Sequence, residues 1–474
     1  MTTTDFLCLT PFLILAGAPL MMMITIAISR HYGVICGFSV IAFLAALFSV
    51  FFMMTAVPHT ISPLFLFDPF SLFFMGMIIA AGLLISILSY SYLKQQVGQK
   101  EEYFIILFVA TFGAALLAVA NHFVSFFLGV ETLTVSLYVL IAYKRHSDYS
   151  IEAGVKYLIL ASVSSAFLLF GMALIYAGTG TMEFNSIAII INKLQILSPI
   201  MLAGFAMILV GIGFKLALVP FHLWTPDVYQ GAPAPISAFI ATASKGALMA
   251  LLLRFFYSFN AFQHQAFVVV ISIIAVLSMF VGNLLALKQQ NVKRILAYSS
   301  IANLGYLLVT VLTGGTNGIQ AAIFYLIAYF ITTIGAFGVV SVLSVCGDDA
   351  DQLENYKGLF WKKPWVAIVF TIAMLSLAGI PLTAGFMAKF YIVFAGMKSG
   401  LWLLVISLVI NSVISLYYYL RVVTTMFSAA NREVIPAISV SGNFVLAVIA
   451  FAILWLGTIP GWLLNVISQF SGLR

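Results

Sequence analysis

MLAGFAMILVGIGFKLALVP, from Met201 to Pro220, decides the fold. Every residue from Met201 to Phe214 is apolar or glycine, and with 197–200 ahead the run approaches the ~20 residues a membrane-spanning helix needs. Lys215 then interrupts it, and Pro220 follows. A proline inside a helix removes a backbone donor and clashes with the carbonyl four residues earlier, here that of Leu216. The stretch reads as a membrane helix that carries an amine and breaks just beyond it.

The whole chain has that character. Of its 474 residues 63% are hydrophobic and 7% charged, against roughly 25% charged in a soluble domain. No soluble fold hides so much apolar surface, and disorder needs the opposite balance. Fourteen segments are long and apolar enough to span, at about 6–29, 32–55, 70–93, 103–120, 122–143, 155–178, 197–219, 234–257, 265–287, 293–314, 318–345, 364–396, 401–428 and 441–468. They predict an all-α polytopic membrane protein with about 14 transmembrane helices, a single transmembrane domain over 1–474. Short loops join most segments, and the longest polar stretch, 346–363, fits a surface loop. The leading MTTTD has Asp5 and no basic residue, so the first segment reads as a retained helix and not as a secretory leader.

Assigning loops alternately to two sides places thirteen of the 21 Lys and Arg residues on one side. Four fall on the other: Lys193, Arg254, Lys398 and Arg474. This bias makes the first side cytoplasmic. Both termini then lie outside, and the net charge of +7 needs no nucleic-acid partner; the bilayer is partner enough. Cys8, Cys36 and Cys346 form no CxxC pair, and neither a GxxxxGK[ST] loop nor a GxGxxG after a strand is present. No iron–sulfur, zinc or nucleotide cofactor is expected in this chain.

Lys156, Lys215, Lys245 and Lys389 remain inside the spans, with Glu131 among the acids. A charge at mid-bilayer costs ~2.5–3.5 kcal/mol on insertion scales. At 1.5 Å per residue, Glu131 lies roughly 13 Å into its helix and Lys245 roughly 15 Å past Pro235. Both are too deep to snorkel. Lys156 starts its segment and reads either as an interfacial anchor or as one of the buried set. A static ion pair is the plain alternative for the deep charges. Residue type argues for more: a buried lysine whose acidic partner moves can hold or release a proton, whereas arginine stays charged.

A second segment breaks as well. Residues 364–396 would make ~50 Å of helix, too long for a ~30 Å hydrocarbon core. Gly379, Pro381 and Gly385 precede Lys389 in it. Interrupted helices at membrane depth line protein or a wet cavity, and a loosened backbone beside a titratable amine suits an ion path. Internal echoes add modest support: Tyr157-Leu158-Ile159 recurs as Tyr325-Leu326-Ile327, and Ser164-Ser165 as Thr332-Thr333. Repeats of five helices, an odd number, would be inverted.

The stretch GFKLALVPFHLWTPDVYQGAPAPISAFIATASK (Gly213–Lys245) closely resembles the antiporter-like subunits of respiratory complex I, the proton-pumping NADH:quinone oxidoreductase. So do FLGVETLTVSLYVL (Phe127–Leu140), NVKRILAYSSIANLGYLL (Asn291–Leu308), MLSLAGIPLTAGFMAKFY (Met374–Tyr391) and LYYYLRV (Leu416–Val422). The likeness is strong over about 70–425. It implies two inverted five-helix repeats, 103–257 and 265–428, with broken helices seven and twelve, flanked by 1–93 and 441–468. It also implies proton translocation driven by quinone reduction in other subunits.

Carried onto this sequence, the resemblance makes Glu131 the glutamate of helix five, Lys215 the lysine of broken helix seven, Lys245 that of helix eight and Lys389 that of helix twelve. His222, after the first break, either helps a proton reach this chain of charges or caps the broken helix. Asn303 stands where many relatives carry histidine; it can position water but not carry charge. The implied setting is a bacterial inner membrane among other membrane-arm subunits. NADH, FMN, iron–sulfur clusters and quinone would be held by other subunits. A subunit of a multi-subunit Na+/H+ antiporter or of a membrane-bound hydrogenase is the competing reading, disfavoured by the DVYQG segment and the helix-twelve lysine. A purely structural scaffold would explain the spans but not three mid-membrane lysines.

Overall fold

Each apolar run becomes a helix, bounded by the caps and breakers its sequence supplies. The computed structural model describes residues 2–94, 98–145, 147–194, 197–344, 349–429 and 439–470; Cys346, Arg432 and Arg474 lie outside them. The helices are α1 (Thr3–Ile28), α2 (Tyr32–Met53), α3 (Pro69–Lys94), α4 (Glu102–Val119), α5 (Phe123–Ile141), α6 (Asp148–Thr179), α7 (Phe184–Lys193), α8 (Pro199–Leu216), α9 (Trp224–Gly231) and α10 (Ala234–Phe239). There follow α11 (Lys245–Ser258), α12 (Gln265–Leu287), α13 (Val292–Thr313), α14 (Gly315–Leu343), α15 (Leu359–Lys362), α16 (Pro364–Ala378), α17 (Ala384–Lys398), α18 (Trp402–Phe427), α19 (Val440–Thr458) and α20 (Gly461–Phe470). A short antiparallel hairpin, β1 (His59–Ile61) and β2 (Phe65–Phe67), is the one sheet among the described residues.

Caps follow the sequence. Thr2 and Asp5 form a capping box on α1, Ser198 caps α8 with Pro199 behind it, and Asn291 caps α13. Glycines in the left-handed region, Gly180 and Gly379, end α6 and α16.

Thirteen helices among the described residues are long and apolar enough to cross a membrane, and α16 with α17 accounts for the fourteenth expected segment. The central ones, α13 and the stretch Ala234–Ser258, are buried on every side, while α1, α6 and α12 keep less than half of their apolar windows inside. A helix apolar all round and wholly enclosed belongs at the centre of a bundle, and a half-covered one at its lipid-facing rim. The centre is also where the deep lysines sit.

Three details depart from expectation. First, α8 ends at Leu216, because Ala217 turns into the left-handed region (φ 61°) and donates back to Gly213 and Phe214. Leu216 is the residue whose carbonyl the Pro220 ring would meet in a continued helix, so the end falls where the proline requires it; the second half of the break is α9. Second, a π-helical turn, Ile240–Ser244, is inserted just before Lys245. Third, α6 begins at Asp148, earlier than the expected 155, which places Lys156 two turns into the helix.

Candidate functional site

Lys215, on the last turn of α8, points its amine at α5 and donates to the Thr134 hydroxyl at 2.7 Å. Glu131 lies one turn earlier on α5, and its carboxylate accepts a hydrogen bond from Ser165 of α6. Glu131 and Lys215 thus sit on adjoining helices without a direct ion pair among the described residues. Their charges do not touch, and Glu131 acts on Lys215 electrostatically across that gap.

Lys245 follows the π turn. Its amine donates to Ser300 of α13 at 2.7 Å and lies 5.5 Å from the centre of the Tyr229 ring. Tyr329 of α14 donates to the same Ser300 oxygen at 2.7 Å. A π turn widens one helical step, and such turns recur at functional sites; here it sets the register in which Lys245 faces α13.

Beyond Tyr329 lies a narrow cavity, lined among others by Asn303, Tyr325, Tyr329, Thr332, Ser376 and Lys389. Asn303 donates to the Ser299 carbonyl at 2.9 Å and accepts from Tyr325 at 2.6 Å. The Ser299 carbonyl and the Tyr325 hydroxyl thus hold the two ends of this amide in place. Thr332 and Ser376 meet at 3.0 Å across the cavity.

Lys389, on α17, reaches back over the second break. It donates to the carbonyls of Leu377 and Ala378, each at 2.9 Å, and to Ser412 at 3.1 Å. The last carbonyls of a helix lack intrahelical partners and carry its negative dipole end, so an ammonium suits this place. Gly379 (φ 84°) makes room for the lysine stem: a Cβ there would lie 2.9 Å from Lys389 Cδ.

His222 is buried in the first break beside the Pro220 backbone, with neither ring nitrogen in a well-formed hydrogen bond. Lys156 pairs with Glu152 at 2.6 Å and Asp227 at 3.0 Å, with a large part of its side chain exposed. That is the arrangement of an interfacial anchor.

Several ionic groups escaped the sequence reading. Arg254 and Asp68, which sequence position puts at helix ends, form an ion pair at 2.8 Å with side chains only 2% and 1% exposed. Lys293, assigned to a loop end, is fully enclosed and held by Asp349, which also takes Lys144 at 2.8 Å. Distance from a helix end does not report enclosure. The available hint was the scarcity of acids, 14 in the whole chain, which makes any acid within an apolar stretch a candidate partner for a base.

Residues 120–415 match the family described as NADH:quinone oxidoreductase/Mrp antiporter, transmembrane. NADH-quinone oxidoreductase subunit N of Methylococcus capsulatus is 43% identical over 99% of this chain and 96% of its own length. The subunit N of Nitrosospira multiformis is 46% identical over the same shares. The chain belongs to the NADH-quinone oxidoreductase subunit N family.

Among solved structures, a chain of respiratory complex I from Thermus thermophilus is 30% identical, with a TM-score of 0.84, over 97% of this chain and 99% of that one. A chain of an archaeal membrane-bound sulfane sulfur reductase is 25% identical, with a TM-score of 0.86, over 99% and 97%. A chain of the Mrp complex of Dietzia sp. is 20% identical, with a TM-score of 0.87 over the same shares, a likeness of fold alone. Backbone similarity does not separate these branches; sequence places the chain in the subunit N family.

Proposed function

We propose that this chain moves protons across the membrane as a membrane-arm subunit of NADH-quinone oxidoreductase (complex I, NDH-1), while NADH oxidation and quinone reduction take place in other subunits. As a family member, it is a multi-pass subunit of a proton-translocating oxidoreductase. One observation carries the reading: among the described residues the three deep lysines donate to neutral oxygens, those of Thr134 and Ser300 and the Leu377 and Ala378 carbonyls, and to no carboxylate. A static structural charge would show the paired arrangement that Arg254 and Asp68 adopt. A lysine on neutral acceptors can give up its proton without leaving a counter-ion stranded.

In this account Glu131 modulates Lys215 from adjoining α5, Lys245 relays, and Lys389 passes the proton toward the outer face. His222 serves entry at the first break. From Lys245 the hydroxyls of Ser300 and Tyr329 lead to the small cavity that Lys389 lines, and this supports transfer between the two lysines. Two inverted repeats, 103–257 and 265–428, are supported by parallel packing: α4 lies against α5 as α12 against α13, and α6 against α8 as α14 against α16. Lys215 precedes its break and Lys389 follows its own, so the helices correspond and the lysine positions do not. Both termini are assigned to the outer side of a bacterial inner membrane, and NADH, FMN, iron–sulfur clusters and quinone to partner subunits.

Replacing Lys215 with Met in the assembled enzyme tests the reading. Proton pumping coupled to NADH oxidation should fall; unchanged pumping in correctly assembled enzyme would sink it.

A further inference from the structure

We propose that Asp349 is a positioning residue for proton transfer: its carboxylate clamps α13 and the end of α5 together, and so fixes the Ser300 hydroxyl against Lys245. The proposal rests on the function proposed above.

The carboxylate of Asp349 is 7% exposed and gathers groups from three separate elements. Lys144, just past the end of α5, donates at 2.8 Å. Tyr92, near the end of α3, donates at 2.6 Å. Lys293, in the first turn of α13, donates to its second oxygen. The segment carrying Asp349 is itself tied to the end of α14 and to the residues that lead into α13. Ala350 donates to Ser344 at 3.2 Å, Leu353 to the Gln290 carbonyl at 3.0 Å, and Tyr356 to the Ala350 carbonyl at 2.6 Å.

Lys293 carries the consequence into the site. Its amine also donates to the carbonyls of Gln230 (2.8 Å) and Ala232 (2.6 Å), where α9 ends and the chain turns toward α10 and Lys245. Ser300 stands seven residues after Lys293, two turns along the same face of α13. The amine therefore fixes α13 to the α9–α10 joint at one level, and Ser300 meets Lys245 on that face two turns deeper.

The arrangement is costly without its acid. Lys293 and Arg294 place two cations at a helix N-terminus, the positive end of the macrodipole. Asp227 compensates Arg294 at 2.7 Å, and Asp349 compensates Lys293. Through Lys144 the same carboxylate also holds α5, the helix that supplies Glu131 and Thr134. A single acid thus ties together the two helices that offer Lys215 and Lys245 their oxygens.

The test is Asp349→Asn in the complete purified complex, reconstituted in vesicles, with Asp349→Glu and Lys215→Met alongside. Protons pumped per NADH and amide hydrogen exchange over 292–304 are read together. We expect Asp349→Asn to lower protons per NADH by about two- to ten-fold in assembled enzyme, as loss of one coupling member does. Exchange in α13 should rise, and Asp349→Glu should recover much of both. A residue that merely holds the fold would reduce the amount of assembled complex and leave protons per NADH unchanged; that result overturns the proposal. If Lys215→Met lowers pumping and Asp349→Asn does not, the clamp alone fails. If Lys215→Met pumps normally, the functional reading fails, while the exchange measurement still reports on the clamp.

Discussion

Lys389 caps α16 across the break: its amine donates at 2.9 Å to the carbonyl of Leu377, in the last turn of that helix. The lysine proposed above as a proton site is therefore also the group that satisfies an interrupted backbone deep in the protein. Lys389→Met removes the amine, leaving the Leu377 carbonyl unpaired at about 1–3 kcal/mol and the Ala378 carbonyl with Ser412 alone, at 3.3 Å. Lys389→Arg keeps donors but cannot release a proton. Both variants should pump poorly, and Lys389→Arg should unfold at the higher temperature of the two. Thermal denaturation of the purified complex alongside a pumping assay checks the split.

Arg254 and Asp68 make the opposite case. The pair is enclosed and bidentate, and Arg254 stacks on Phe70 at 5.4 Å. Asp68→Asn should cost about 3–5 kcal/mol, because it strands a buried guanidinium. The expected outcome is less assembled complex with a lower Tm, and normal protons per NADH in the enzyme that survives.

Asn303 should matter through its hydrogen bonds and not its charge. Asn303→Leu removes the acceptor of Tyr325 and the donor to Ser299, beside the cavity that leads to Lys389. Leaving a buried hydroxyl unpaired costs about 1–3 kcal/mol. Pumping is expected to fall with little loss of assembly, whereas Asn303→His, which restores both donor and acceptor, should pump better than the leucine variant.

The ionic clamp should be insensitive to pH near neutrality. Burial raises the Asp349 carboxyl, but Lys293 and Lys144 more than offset this and hold it below the ordinary carboxylate value of about 3.9. A carboxyl lowered on folding contributes stability above its unfolded pKa and loses it as pH falls through the folded value. The Asp349→Asn deficit should thus be the same at pH 6 and pH 8, measured as the ratio of variant to wild-type pumping.

The spans and deep lysines were legible in the sequence because both signals are local. A run such as 197–219, apolar over almost its whole length, is long enough to span a membrane, and a lysine in its path stands out. The partners were not legible. Thr134 and Ser300 are hydroxyls of a kind found throughout these helices, and only packing selects them. Lys215 finds Thr134 and not Glu131 because the lysine meets α5 one turn beyond the glutamate. Nothing in Ile240–Ser244 announces a π turn, and Ala217 gives no warning of a left-handed cap. Arg254 and Lys293 were misplaced because sequence distance from a helix end says nothing of what closes over it.

The most direct measurement is the number of protons pumped per NADH oxidised when Glu131, Lys215 and Lys245 are neutralised together, as Gln, Met and Met, in fully assembled enzyme. The account expects that number to drop below the wild-type value while the complex still contains all its subunits. An unchanged number would make this chain a scaffold and contradict the account.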